Sequence, residues 1–184
     1  EGGNALADIL FGDVCPSGKL PYTVAYSEED YPYFDPDCEE ITYEYYHGYC
    51  KMEKEGKKVL YPFGYGLSYT EFAFGRPEAE VFADTAKISI SLKNTGSMAG
   101  AEVVQLYVGC EGSKVDRPVK VLKDFARVEL APGEETKVSL SVSKKDMAYF
   151  DEDKDAFVTE DIQYIAYVGN CSAKEALQKV EFTF

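Results

Sequence analysis

Ile88-Ser89-Ile90-Ser91-Leu92 alternates an apolar side chain with a serine at every step. On an extended chain successive side chains point to opposite faces, so a period of two makes one buried and one wet face; a helix cannot use it. Working outward, Asn94-Thr95-Gly96-Ser97 supplies turn residues, and Ala101 to Val108 resumes as a strand with Val104, Leu106 and Val108 on one face. Val138, Leu140 and Val142 repeat the alternation against Ser139, Ser141 and Ser143, after a turn at Ala131-Pro132-Gly133-Glu134. Tyr164 to Val168 and Val180 to Phe184 complete about seven strands at the spacing of a sandwich. Residues 69–184 are therefore expected to form a mainly β domain of two packed sheets, long enough to bury its own core.

Upstream of it, within Val59 to Phe74 (VLYPFGYGLSYTEFAF), the run Pro62 to Thr70 cannot be helical. Pro62 removes a backbone donor and restrains the residue before it, while Gly64 and Gly66 permit a positive φ or a close backbone approach. Phe63 and Tyr65 stand between them and contribute only where a wall exists to bury them. Pro62, Phe63, Gly64, Tyr65 and Gly66 thus read as an ordered structural junction, not a floppy linker. Residues 25–68 are acidic and tyrosine-rich, interrupted by Pro32 and Pro36, and Tyr43, Tyr45, Tyr46 and Tyr49 show no clear period. An extended connecting arm packed on its neighbours is expected there. In residues 1–24, Asn4 follows two glycines as an N-cap, Leu6, Ile9 and Leu10 share one face, and Gly12 is placed to end the helix left-handed. A helix of about two turns is marginal alone. Its apolar face calls for a sheet upstream of Glu1, so the chain reads as cut from a longer protein.

Five motifs in fixed order resemble the C-terminal part of glycoside hydrolase family 3 enzymes of the β-glucosidase kind. Glu1-Gly2-Gly3-Asn4-Ala5-Leu6-Ala7-Asp8-Ile9-Leu10-Phe11-Gly12-Asp13 is similar to the last helix of that family's α/β sandwich domain, and Pro16-Ser17-Gly18-Lys19-Leu20-Pro21-Tyr22-Thr23 to the turn and strand after it. Pro62 to Thr70 resembles the junction into the family's fibronectin-like domain. Lys93-Asn94-Thr95-Gly96 with Ala99 to Val108 resembles the first half of that domain; Arg117 to Phe125 with Val128 to Glu134 resembles the second. In the arm, Gly48-Tyr49-Cys50-Lys51-Met52-Glu53 keeps the family's Gly, first Tyr and acid, but has Cys50 and Lys51 where Arg and Tyr are usual.

The resemblance implies a fold and a job. Residues 1–24 would be the remnant of an α/β domain, 25–68 the arm, and 69–184 a fibronectin type III/immunoglobulin-like β-sandwich. The parent would be a retaining glycosidase that removes terminal β-D-glucosyl residues, with β-xylosidase and β-N-acetylglucosaminidase as alternatives on the same scaffold. Such enzymes work with a carboxylate nucleophile and a carboxylic acid. The family's nucleophilic Asp belongs to an N-terminal TIM barrel and its acid/base Glu to an earlier part of the α/β domain, and no residue here matches either motif. The catalytic, cofactor and metal sets in this chain are therefore empty by expectation, and the implied partners are the upstream barrel and α/β domains and a β-glucoside or oligosaccharide substrate. The other class of function weighed is a free-standing carbohydrate-binding or adhesion module, for which the 15 tyrosines speak and the absence of Trp speaks against.

Composition narrows the field in the same direction. A formal charge of −14 repels phosphate and argues against nucleic acid or anionic membranes as partners. No apolar run approaches the roughly 18–20 residues needed to span a bilayer. Cys15, Cys38, Cys50, Cys110 and Cys171 are too widely spaced for a redox or zinc motif and odd in number, which favours reduced thiols and a cytoplasmic setting. His47 is the single histidine and reads as a packed or surface group. Glu1 reads as a helix-dipole partner, Asp35-Pro36-Asp37 as a solvated loop, and Asp151-Glu152-Asp153-Lys154-Asp155 as a charged hairpin turn.

Overall fold

The computed structural model describes residues 1–184. Helix α1 (Gly2–Phe11) is followed by strand β1 (Val24–Ala25), helix α2 (Gly48–Lys54) and strand β2 (Val59–Tyr61). The sandwich then runs through β3 (Phe72–Phe74), β4 (Glu78–Phe82), β5 (Thr85–Asn94), β6 (Gly100–Gly109), β7 (Val121–Leu130) and β8 (Glu135–Ser143). It ends with β9 (Tyr149–Asp151), β10 (Ala156–Val158), β11 (Tyr164–Gly169) and β12 (Leu177–Phe182).

The alternating serines place β5 at the centre of one sheet. Strand β5 pairs antiparallel with β8 from Thr85 opposite Ser143 to Lys93 opposite Glu135. Its other edge is shared by β4, which pairs with Thr85 to Ser89, and β3, which pairs with Leu92 to Asn94. The second sheet has the order β12-β11-β6-β7. Ile88, Ile90 and Leu92 of β5 and Val138, Leu140 and Val142 of β8 form one core with Val104, Leu106 and Val108 of β6 and Ala166 and Val168 of β11. The serine face is not uniformly wet: Ser89 is buried, and its hydroxyl lies 3.1 Å from that of its cross-strand partner Ser139.

Asn94 fastens one end of the sandwich. Fully buried, it donates through Nδ2 to the Met98 and Leu130 carbonyls at 2.8 and 3.0 Å and accepts on Oδ1 from Thr70 Oγ1 at 2.7 Å. At the other end Glu160 accepts from Ser113 Oγ, Lys114 N and Arg117 Nη2, while Arg117 also donates to the Met147 carbonyl. The Asn of the Lys93-Asn94-Thr95-Gly96 motif and the Arg of the Arg117-Pro118 motif thus hold loops that carry little regular structure of their own.

Three expectations need correction. Asn4 is not the N-cap: Glu1 occupies that position, its carbonyl accepting from Asn4 N and Ala5 N at 3.1 Å, so Gly2 and Gly3 lie inside the first turn. Gly12 does close the helix left-handed, at φ 84°. The arm is not extended throughout, because Gly48–Lys54 turns helical around a buried Met52. Residues 69–184 hold ten strands, not seven. Those beyond the expectation include Phe72–Phe74 and the hairpin of β9 with β10, three residues each, too short for a period to register.

Candidate functional site at the arm and sandwich junction

The residues singled out from the sequence, Pro62 to Gly66, lie between the segment Gly18–Leu20 and the sandwich. On one side Gly64 N donates to the Leu20 carbonyl and Leu20 N to the Tyr65 carbonyl, both at 2.8 Å. On the other, Ser172 N donates to the Phe63 carbonyl at 2.9 Å. The two glycines make this possible in different ways. Gly64 has φ +79°, and a Cβ there would stand 2.3 Å from Gln105 Oε1; Gly66 has no positive φ, but a Cβ would stand 2.3 Å from the Gly18 carbonyl oxygen. Phe63 and Tyr65 are half-buried, not buried, and Gly64 is the buried member of the set. Pro62 is half-buried beside them.

Behind the junction lies a polar layer on β6. Gln105, 3% exposed, donates from Nε2 to the Asn170 carbonyl at 2.7 Å and accepts on Oε1 from Tyr107 Oη at 2.5 Å. Glu102 pairs with Lys19 at 2.5 Å and accepts from Asn170 Nδ2 at 3.1 Å. These groups bind the Gly18–Leu20 segment, β6 and the loop after β11 into one network, and buried polar groups tolerate no less.

Helix α2 docks on the same face. The Tyr49 ring lies 5.1 Å from that of Phe63 and 5.8 Å from that of Tyr107, and its hydroxyl accepts from Leu122 N at 2.9 Å. Burial pushes the Tyr49 phenol up to about 12. Lys120, 4% exposed, pairs with Glu53 of α2 and lies over the Tyr107 and Tyr167 rings at 5.7 and 5.9 Å. Burial pushes its ammonium down to about 8. Burial likewise raises the Cys50 and Cys171 thiols that flank Lys120.

Lys19, Glu53, Glu102, Gln105 and Lys120 were missed as site residues from sequence. The available signal was a polar residue inside a strand that is apolar on both faces, Glu102 and Gln105 in Ala-Glu-Val-Val-Gln-Leu-Tyr. In an exposed sheet one face would be polar, so such a residue implies a covering layer. The remaining sequence candidates lie elsewhere. His47 is exposed, with Nδ1 3.4 Å from the Glu44 carbonyl. Asp35 accepts from Asp37 N in an exposed turn, and Asp151 to Asp155 joins β9 to β10 with Lys154 paired to Asp151. Groups of three or more His, Cys, Asp or Glu arranged to hold a metal ion do not occur, and the five cysteines are unpaired. No helix is long and apolar enough to cross a membrane.

An arm sewn between an upstream helix–strand unit and a fibronectin-like sandwich matches known proteins along nearly its whole length. The family model for the glycosyl hydrolase family 3 C-terminal domain matches residues 1–69, and that for the fibronectin type III-like domain matches residues 102–172. The chain belongs to glycoside hydrolase family 3. It is 42% identical over 187 residues to probable beta-glucosidase K of Emericella nidulans, covering 98% of this chain and 22% of that protein. It is 41% identical to the beta-glucosidase of Kluyveromyces marxianus, covering 99% of this chain and 22% of that one. Among solved structures it is similar to the beta-D-glucoside glucohydrolase of Trichoderma reesei, at a TM-score of 0.90 and 29% identity, over 98% of this chain and 28% of the other. The chain therefore spans about a fifth to a quarter of the length of the family 3 relatives it matches.

Proposed function

We propose that this chain is the non-catalytic C-terminal clasp of a retaining β-glucosidase, with residues 1–24 as the end of an α/β domain, 25–68 as a strap and 69–184 as the sandwich it is strapped to. One observation carries the reading. The Pro62–Gly66 backbone is hydrogen-bonded to Leu20 on one side and to Ser172 on the other, so it can hold an upstream domain in fixed relation to the sandwich. Names borne by relatives support β-glucosides as the substrate of the whole protein, and the chemistry would come from carboxylates of barrel and α/β domains preceding this chain. The two buried acids are already tied to cations, Glu102 to Lys19 and Glu160 to Arg117, and the half-buried Glu53 is tied to Lys120. Unpaired cysteines fit a reducing, cytoplasmic setting for the parent.

Phe63→Ala in the full-length enzyme tests the clasp. A half-buried ring tilted against that of Tyr49 predicts a loss of about 2 kcal/mol, below the range for a fully buried Phe, with turnover per folded molecule unchanged. An intact melting temperature together with turnover cut by about two orders of magnitude, or ~2.7 kcal/mol of barrel-site stabilisation, would place the segment in the active site instead. The 184-residue chain alone should release no nitrophenol from an aryl β-glucoside, and release that survives repurification refutes the non-catalytic reading.

A further inference from the structure

A strand at the border of a sheet offers its unpaired N–H and C=O groups to any passing chain. Strand β8 is such a border, paired with β5 on one side and with no strand on the other. At one end its outward amides are nonetheless occupied. Ser141 N donates to Asp124 Oδ2 at 2.8 Å, and Ser143 N donates to Asp146 Oδ2 at 3.0 Å. Asp124 itself lies on β7, the border strand of the second sheet, and its other oxygen accepts from Phe125 N at 2.8 Å. One carboxylate therefore covers amides on two borders, one from each sheet.

The backbone of β7 is shaped for this task. Asp124 stands opposite Leu106 and Leu122 opposite Tyr107, so Lys123 has no counterpart and forms a bulge. An extra residue bends its strand and re-aims the side chains beside it. Lys123 Nζ in turn donates to the Asp146 carbonyl at 2.6 Å, tying β7 to the segment that carries the second carboxylate. Leu122 N is taken by Tyr49 Oη, so the β7 border is covered on both sides of the bulge. Toward the turn at Pro132 the cover of β8 stops. Main-chain groups alternate sides along a strand, so Ser139 and Lys137 face outward with Ser141, and no side chain accepts from either amide.

This border is complementary to itself. About a two-fold axis at Ser139, two copies of β8 run antiparallel with Lys137 opposite Ser141 and Glu135 opposite Ser143. No like charges meet in that register, and small serines leave room for the neighbouring strand. An isologous contact of this kind closes at a dimer.

We infer that Asp124 and Asp146 shut the β8 border against strand addition, and that the strand it would otherwise add is β8 of a second copy. The inference is independent of the clasp reading, because every group it uses belongs to the sandwich. Sedimentation equilibrium of the 184-residue chain, compared with its Asp124→Ala/Asp146→Ala form, tests it. The substituted chain should dimerise with a dissociation constant at least about tenfold lower than that of the unsubstituted chain, because each copy then offers two more amides for pairing. Adding Ser139→Pro should reverse the gain, since proline removes an outward N–H and spares the bonds to β5. Should the double substitution not fold, Asp124→Asn decides in its place and should also strengthen association, because its amide presents one acceptor to two N–H groups. Association no stronger than in the unsubstituted chain, growth beyond a dimer, or a gain that survives Ser139→Pro would each overturn the proposal.

Discussion

Gly64 shows at the residue scale how one position can carry two constraints. Its φ of +79° is costly for any residue with a Cβ, and that Cβ would also overlap the Gln105 amide at 2.3 Å. Left-handed backbone alone costs about 1–2 kcal/mol. Displacing Gln105 would further break its bonds to Asn170 and Tyr107, so Gly64→Ala should destabilise the chain by about 3 kcal/mol, read as a lower urea midpoint. A midpoint within error of the parent would mean that the polar layer on β6 can move aside. Glu160 makes a pH-dependent case. Burial raises its carboxyl, but the Lys114 N–H, the Ser113 hydroxyl and the Arg117 guanidinium outweigh that and hold it below its ordinary 4.5. A carboxyl depressed in the folded state binds fewer protons there than in the unfolded chain, so it stabilises above pH 4.5 and loses that contribution as pH falls through the lowered folded value. Glu160→Gln should therefore cost about 1–3 kcal/mol near neutrality and progressively less in acid. A gap that stays constant from neutrality to strong acid would refute this assignment.

Helix α2 is the helix that sequence reasoning overlooked, and its energetics explain why. Seven residues are too few to be stable on propensity, and tyrosines at Tyr43, Tyr45 and Tyr46 masked the Tyr49–Met52 spacing that marks its buried side. What makes the segment helical is tertiary: Met52 at 3% exposure, Tyr49 against Phe63 and Tyr107, and Glu53 on Lys120. Met52→Ala should thus cost about 2–4 kcal/mol and act first on α2, releasing its amides to exchange while the core strands stay protected. Equal loss of protection in β5 and β6 would show that the arm and the sandwich unfold as one unit. The sandwich was legible because a period of two is a local property, visible in Ile88 to Leu92 and Val138 to Ser143. The junction was legible in part, since Pro62, Gly64 and Gly66 constrain the backbone by themselves. Lys19 and Lys120 were not, because each matters only through a residue far off in sequence, whereas Glu102 left the one trace of a polar residue in an otherwise apolar strand. The sequence also assigned Asn4 the cap that Glu1 holds, a choice that turned on whether two glycines could enter the first turn.

At the scale of the whole molecule the two ends differ in how well they are satisfied. Residues 69–184 bury a continuous core between two sheets, whereas α1 buries no side chain at all, with Leu10 68% and Phe11 86% exposed. The aromatic groups of the arm are similarly uncovered, Tyr33 at 85%, Phe34 at 61% and Tyr43 at 60%. A ten-residue helix lies below the ~12–15 residues at which isolated helices become even marginally stable in water. One long-range tether, Tyr69 Oη donating to the Ile9 carbonyl at 2.9 Å, reaches it from the start of the sandwich. A single exposed hydrogen bond contributes about 1 kcal/mol or less, too little to offset the ordering entropy of ten residues. In the 184-residue chain alone, α1 amides should accordingly exchange almost without protection while β5, β6 and β11 exchange only through global unfolding. In the full-length family 3 protein, where the clasp reading places a further domain against this face, the same amides should be protected. Hydrogen exchange on the two forms makes the comparison directly. Strong protection of α1 in the short chain would mean that the sandwich and arm stabilise it unaided, and the apolar face of Leu6 and Leu10 would then need no upstream partner.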